Sequence, residues 1–107
     1  MKTVFVIQET KRNISPARDF GSIRVLTTWN DLQGGSAVVA RLIRSKFEQY
    51  QLSSDDYLLC IGDPIAIGLA VHIALTITGG KLNVLVWDRE TWSYNIERIE
   101  LNGKAKP

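Results

Sequence analysis

Apolar residues recur along this chain at two periods, and the switches between them predict the order of its elements. Residues 3–8 (Thr-Val-Phe-Val-Ile-Gln) are β-branched and aromatic, which suits a well-covered first strand. Residues 9–21 carry Lys11, Arg12, Asn13, Ser15, Pro16 and Gly21, the charges and turn formers of a loop. Residues 22–29 alternate as a second strand, and residues 30–35 turn the chain again. Ser36 is placed to cap a helix running to about residue 51, with Val39, Ala40, Leu42, Ile43, Phe47 and Tyr50 on its buried side and Arg41, Arg44, Ser45 and Glu48 opposite. Residues 57–61 (Tyr-Leu-Leu-Cys-Ile) form an uninterrupted apolar run, the pattern of a strand covered on both faces.

Residues 65–78 alternate large and small side chains, as a strand would, but three alanines and the preceding Asp63-Pro64 favour a helix. Aspartate at the N-cap accepts a backbone N–H, and proline at the first helical position has none to leave unpaired. On the helical wheel Ala66, Ala70 and Ala74 make one narrow line flanked by large residues, with Gly68, His72 and Thr76 opposite. The apolar arc covers about 240°, where a surface helix needs a stripe of a little over 100°. Gly79-Gly80 closes the helix. Residues 81–87 and 92–101 read as two strands joined by a turn at residues 88–91, and residues 102–107 as a short frayed tail. The expected fold is therefore α/β: one domain over residues 1–107, a mixed sheet of about five strands and two helices in the order β-β-α-β-α-β-β. The strand–helix–strand unit over residues 57–87 should be a right-handed parallel crossover, and the last two strands an antiparallel hairpin on the same sheet.

Composition narrows the function. A formal charge of +2 over 107 residues is too small to indicate nucleic acid by itself. The single cysteine, Cys60, forms no intramolecular disulfide and builds no thiolate zinc site. The apolar N-terminal run is too short for a signal sequence, and the 65–77 stretch is too short and too interrupted to span a bilayer. The cytoplasm is the expected compartment.

Four places could carry chemistry, and each has a plainer reading. The turn at Gly62-Asp63 lies where open α/β sheets collect ligands, beyond the carboxyl end of a strand. It has one glycine and no following lysine, and Asp63 puts a negative charge where an anion would sit, so a helix cap is the plainer account. The hairpin brings Trp87, Arg89, Trp92 and Tyr94 together, either as cross-strand cover or as anchors for a protein partner. Lys11, Arg12 and Arg18, with Arg41 and Arg44, could touch phosphates but are interleaved with Asp19 and Glu48, which suits a solvated face. His72, the only histidine, has no local acid or nucleophile, and no H-x-x-x-H pair or acidic cluster suggests a metal. No catalytic residues, cofactor or metal are expected.

Several blocks together resemble a family of small proteins encoded by bacteriophages: Val6-Ile7-Gln8-Glu9, Ala17-Arg18-Asp19-Phe20-Gly21, Asp56-Tyr57-Leu58-Leu59, Gly62-Asp63-Pro64 with Ile67-Gly68, Gly80-Lys81, and Trp87-Asp88-Arg89 with Tyr94. Gly-Asp-Pro and Trp-Asp-Arg are the most specific of these. The resemblance implies a phage gene product at work in the host cytoplasm, and it carries over no activity and no functional residues. The leading expectation is a non-enzymatic accessory protein that binds protein, either a second copy of itself or a host factor. The wide apolar arc points to a homodimer through Leu69 and Ile73 or through the neighbouring hairpin. The alternatives are a small-ligand or nucleotide binder at Gly62-Asp63 and, with less support, a weak nucleic-acid binder; no membrane partner is expected.

Overall fold

The computed structural model describes residues 2–102, so the part of the expected tail at residues 103–107 lies outside the described residues. Five strands form one sheet: β1 (Thr3–Gln8), β2 (Ser22–Thr27), β3 (Tyr57–Leu59), β4 (Lys81–Asp88) and β5 (Ser93–Glu100), with helices α1 (Ser36–Gln49) and α2 (Pro64–Thr78). The strand order is β2-β1-β3-β4-β5. The first four strands run parallel and β5 returns antiparallel to β4, which is the expected order of elements and the expected hairpin.

Strand parity assigns the core. Phe5, Ile7, Leu26, Leu58 and Leu82 face one way and join Val39, Ile43 and Phe47 of α1 and Ala66, Ala70, Ile73 and Ala74 of α2 in one buried cluster. Phe5 meets Phe47 edge to face at 5.1 Å between ring centres. The alternate residues Val4, Val6, Tyr57, Leu59 and Leu85 face the other way, where no α-helix lies. The 9–21 segment covers that face instead. Its Ala17 sits in a short 3-10 helix (Ser15–Asp19) and is buried, while Ile14 and Phe20 pack beside it. Phe20 and Tyr57 meet edge to face at 5.4 Å.

Helix α2 starts as the Asp-Pro signal dictates: the Asp63 carboxylate accepts from the N–H of Ile65 (2.8 Å) and of Ala66 (3.4 Å). Its alanine line is buried against the sheet, so the backbone can approach closely. The wide apolar arc is absorbed because α1 packs beside α2 on the same face, leaving Ile67, Leu69, Val71 and Leu75 half-buried against the core. Ile65 and Ile77, one at each end, stay exposed.

Several expected boundaries move. Ser36 does not cap α1: Gly35 occupies the cap position without a side-chain bond, and Ser36 is the first helical residue. The helix stops at Gln49, and Gln51 adopts φ 53°. β2 ends at Thr27, because Asp31 accepts the Thr28 N–H at 2.7 Å and bends the chain into a second 3-10 helix (Asp31–Gly34). β3 is only three residues long, since Ile61 N–H closes back on the Leu59 carbonyl (3.0 Å) and Gly62 at φ +123° redirects the chain. The hairpin turn reaches one residue further than expected, to Trp92 at φ 53°.

Candidate functional site

In a sheet of this strand order, the connection from β1 to β2 runs over one face while the connections entering and leaving β3 run over the other. The chain therefore parts beyond the carboxyl ends of β1 and β3, the position where open α/β sheets bind ligands. Two clefts open there, on either side of Arg12. The larger, of about 600 Å³, has Leu59 and Leu85 as its floor, Ile14 and Ile61 beside them, and Trp87, Tyr94, Arg12 and Arg89 as its walls. The second, of about 570 Å³, is lined by Glu9, Thr10, Lys11, Arg12, Trp29, Gly62 and Ile67. Both share Arg12, Cys60 and Ile61.

The aromatic wall is built by register. Trp87 on β4 pairs directly with Tyr94 on β5, which brings their rings edge to face at 4.9 Å. Trp92, at the end of the turn, meets the same Trp87 ring at 6.3 Å and is 73% exposed. Asp88 holds the turn: one oxygen accepts from Glu90 N–H (2.8 Å) and Thr91 N–H (3.4 Å), the other from the Asn95 amide (3.1 Å). The Glu90 bond, aided by those from Asn95 and Thr91, holds the Asp88 carboxyl below the ordinary carboxylate value. Arg12 and Tyr94 line the same cleft; burial raises the Tyr94 phenol, and the charge of Arg12 opposes that shift. β3 pairs with β4 only through Leu85, so residues 86–88 and 93–95 project beyond the body as a two-stranded ribbon.

The guanidinium groups of Arg12 and Arg89 make no hydrogen bond or ion pair among the described residues; the one ion pair found there is Arg98–Glu100 on β5. No acidic residue lines the larger cleft. Cys60 stands between the two clefts, and burial pushes its thiol up from the ordinary value, so it is neutral at physiological pH.

The Gly62-Asp63 pair is split by the fold. Gly62 lines the second cleft, whereas Asp63 turns away to cap α2 and lines a separate cavity of about 250 Å³ with Leu32, Ser36 and Val39. Beneath Gly62 lies Gln8, fully buried, whose Oε1 accepts the Asp63 N–H at 2.7 Å and whose Nε2 has no partner among the described residues. The basic loop is split as well: Lys11 and Arg12 stand at the clefts, while Arg18 lies at the opposite end of the sheet with Lys2 and Arg24. Arg41 and Arg44 are exposed on the outer side of α1. Ile73 is only 3% exposed and belongs to the core, so it cannot serve a docking surface, and Leu69 is half-buried against the same core. His72 is exposed on α2, where its carbonyl accepts the Thr76 hydroxyl at 2.9 Å. Among the described residues no helix is long and apolar enough to cross a membrane, and no three His, Cys, Asp or Glu side chains gather as metal ligands.

No curated protein matches the chain, and no solved structure matches it. A family model described as "Phage Pam3 gp32-like protein" matches residues 2–101, which takes in every strand, both helices and all the residues that line the clefts. The phage resemblance in the Gly-Asp-Pro and Trp-Asp-Arg blocks thus extends over the whole fold, and the chain belongs to the phage Pam3 gp32-like protein family.

Proposed function

We propose that this phage protein is a non-enzymatic accessory protein of the host cytoplasm that works by protein binding, with the β4–β5 hairpin as its docking surface and a second copy of itself as the partner. The observation that carries this reading is the state of the two sheet edges. At the β2 edge, Lys46 of α1 donates to the Val25 carbonyl (3.0 Å) and Arg24 stacks over Tyr50, the residue that ends α1, at 4.7 Å, so side chains of the helix and its cap engage that strand. Among the described residues the outer side of β5 has no such cover: the strand is eight residues long, regular, and free of proline. Such an edge is a template for another strand unless it is blocked.

The sequence of β5 suits its own copy. A two-fold axis perpendicular to the sheet at Ile96 sets Ile96 opposite Ile96 of the other copy, and Asn95 opposite Glu97. Ile96 is 49% exposed, on the face that carries Leu85, Trp87 and Tyr94, so pairing would shelter apolar surface that a monomer leaves in water. Trp92 would extend that surface, as an aromatic anchor at the ribbon tip. The same surface replaces α2 as the expected interface, because α1 already covers much of the α2 arc.

Sedimentation or light scattering across the micromolar range tests the reading. The expected result is a shift with concentration towards twice the 12.0 kDa chain mass, lost in Ile96→Lys without a change in thermal stability. A wild-type chain that stays monomeric throughout the range refutes self-association. If the wild-type monomer then captures one host protein and Trp92→Ala does not, the docking surface stands with a host factor as its occupant.

A further inference from the structure

The geometry points to the cleft between Arg12 and Arg89 as a binding site for a small anion that carries a planar ring, of the nucleoside monophosphate class. The inference is separate from self-association, because it rests on the lining of the cleft and not on the strand edge.

Four features coincide. The cleft of about 600 Å³ falls within the range of small-molecule sites, roughly 300–1,000 Å³. Its floor is apolar, formed by the buried Leu59 and Leu85, so a ring laid on it leaves water. Its wall is the Trp87–Tyr94 pair, held by cross-strand register, which offers an aromatic surface without further ordering. Its rim carries two guanidinium groups with no partner among the described residues, and no carboxylate lines the cleft to compete for them. Guanidinium presents a planar fork of donors that matches phosphate oxygens two at a time, so a phosphoryl group suits this rim better than a lone charge would.

The adjoining cleft sets the direction. Arg12 belongs to both, and Lys11 lies in the second, so cationic groups gather where the two meet. A ring against Trp87 and Tyr94 would therefore direct its phosphate towards Arg12. The junction also lies beyond the carboxyl ends of β1 and β3, where the strand order leaves room for a ligand. Asp63, which would repel a phosphate, faces the α1–α2 cavity and not this cleft.

Titration calorimetry with AMP, adenosine and ribose 5-phosphate tests the site, with Trp fluorescence as a second readout. AMP is expected to bind saturably and to quench emission, with adenosine and ribose 5-phosphate each at least tenfold weaker. Arg12→Gln and Arg89→Gln, both at exposed positions, are expected to keep the wild-type melting temperature and to lose at least tenfold in AMP affinity. AMP should also slow alkylation of Cys60, which lines the cleft. The inference is overturned if AMP does not saturate at millimolar concentration, or if both arginine variants bind it as wild type does. Equal binding of AMP and ribose 5-phosphate would reduce the site to a phosphate site and remove the aromatic part of the assignment. A single-stranded oligonucleotide that binds at least a hundredfold more tightly than AMP, with a steep loss of affinity in salt, would instead mark a nucleic-acid groove.

Discussion

Asp63 stands at the junction of the two accounts of the Gly62-Asp63 turn, and one substitution separates them. In the structure its Oδ1 accepts from the first free N–H groups of α2 at 2.8 and 3.4 Å, while its own N–H is held by Gln8. Asp63→Ala removes the acceptor and leaves those helix N–H groups to water. Loss of an N-cap of this kind costs about 1 kcal/mol, within roughly 0.5–2. For a chain of this size that corresponds to a fall of about 4 °C in Tm. Asp63→Asn keeps an oxygen acceptor and loses the charge, so it should fall between Ala and wild type, by no more than the roughly 0.3–1 kcal/mol of a charge at a helix N-terminus. Urea unfolding followed by circular dichroism measures all three, and the slope with denaturant should stay constant, because the surface exposed on unfolding is the same. AMP affinity should be unchanged in both variants, since Asp63 faces the α1–α2 cavity. An unfolding midpoint for Asp63→Ala equal to that of wild type refutes the capping account. Loss of AMP binding in the folded Asp63→Asn protein refutes the separation of Asp63 from the cleft.

Gly62→Ala should destabilise the chain by more than about 2 kcal/mol, because the new methyl would clash with the buried Gln8 side chain and the backbone sits at φ +123°, where side chains are strained; a melt within a degree of wild type would contradict this. The hairpin turn should loosen in acid. The folded-state Asp88 carboxyl titrates below its ordinary value of 3.8, so its stabilisation is complete above that value and is lost as pH falls through the lower folded one. Trp emission from the Trp87–Trp92 pair, followed from pH 6 downwards, should change only below about pH 4, and Asp88→Asn should remove that step.

How much of this was legible in the sequence varies by element, for physical reasons. β1 and β3 stood out because strands buried on both faces carry unbroken apolar runs, and α2 stood out because Asp63-Pro64 is a start signal with a mechanism. Ser36 misled because a serine at the first helical position looks the same in sequence as one at the cap. The breadth of the α2 arc is plain in the sequence and fits either a dimer or α1 packed beside α2 on one sheet face. Arc width measures how much surface needs cover and says nothing of the source, and here α1 supplies it from the same chain. The cover over the other sheet face left a trace that went unused: Ile14, Ala17 and Phe20 recur at every third residue, the period of a 3-10 helix. One wall of the cleft was legible, as the grouping of Trp87, Arg89 and Tyr94 in the hairpin, but the opposite side was not. Arg12 and Tyr94 are far apart in sequence, and only the strand order brings the β1 end beside the hairpin.

That strand order also explains why the cleft is open. A sheet with its β1–β2 connection on one face and its later connections on the other is usually covered by helices on both. Here both helices lie on one face, and the other has only the 9–21 segment with its single 3-10 turn. The segment covers β1 and the amino-terminal side of β3 through Ala17 and Phe20, and its Ile14 borders the cleft that lies over Leu59 and Leu85. A helix on this face would fill the space above those leucines, which are already buried. The hairpin borders the same cleft from the other side, through Trp87 and Tyr94. The result is an apolar floor between Arg12 in the 9–21 segment and Arg89 in the β4–β5 turn, made by two connections that are each too short to cover the sheet alone. The open cleft thus has one origin: among the described residues the second face carries no α-helix.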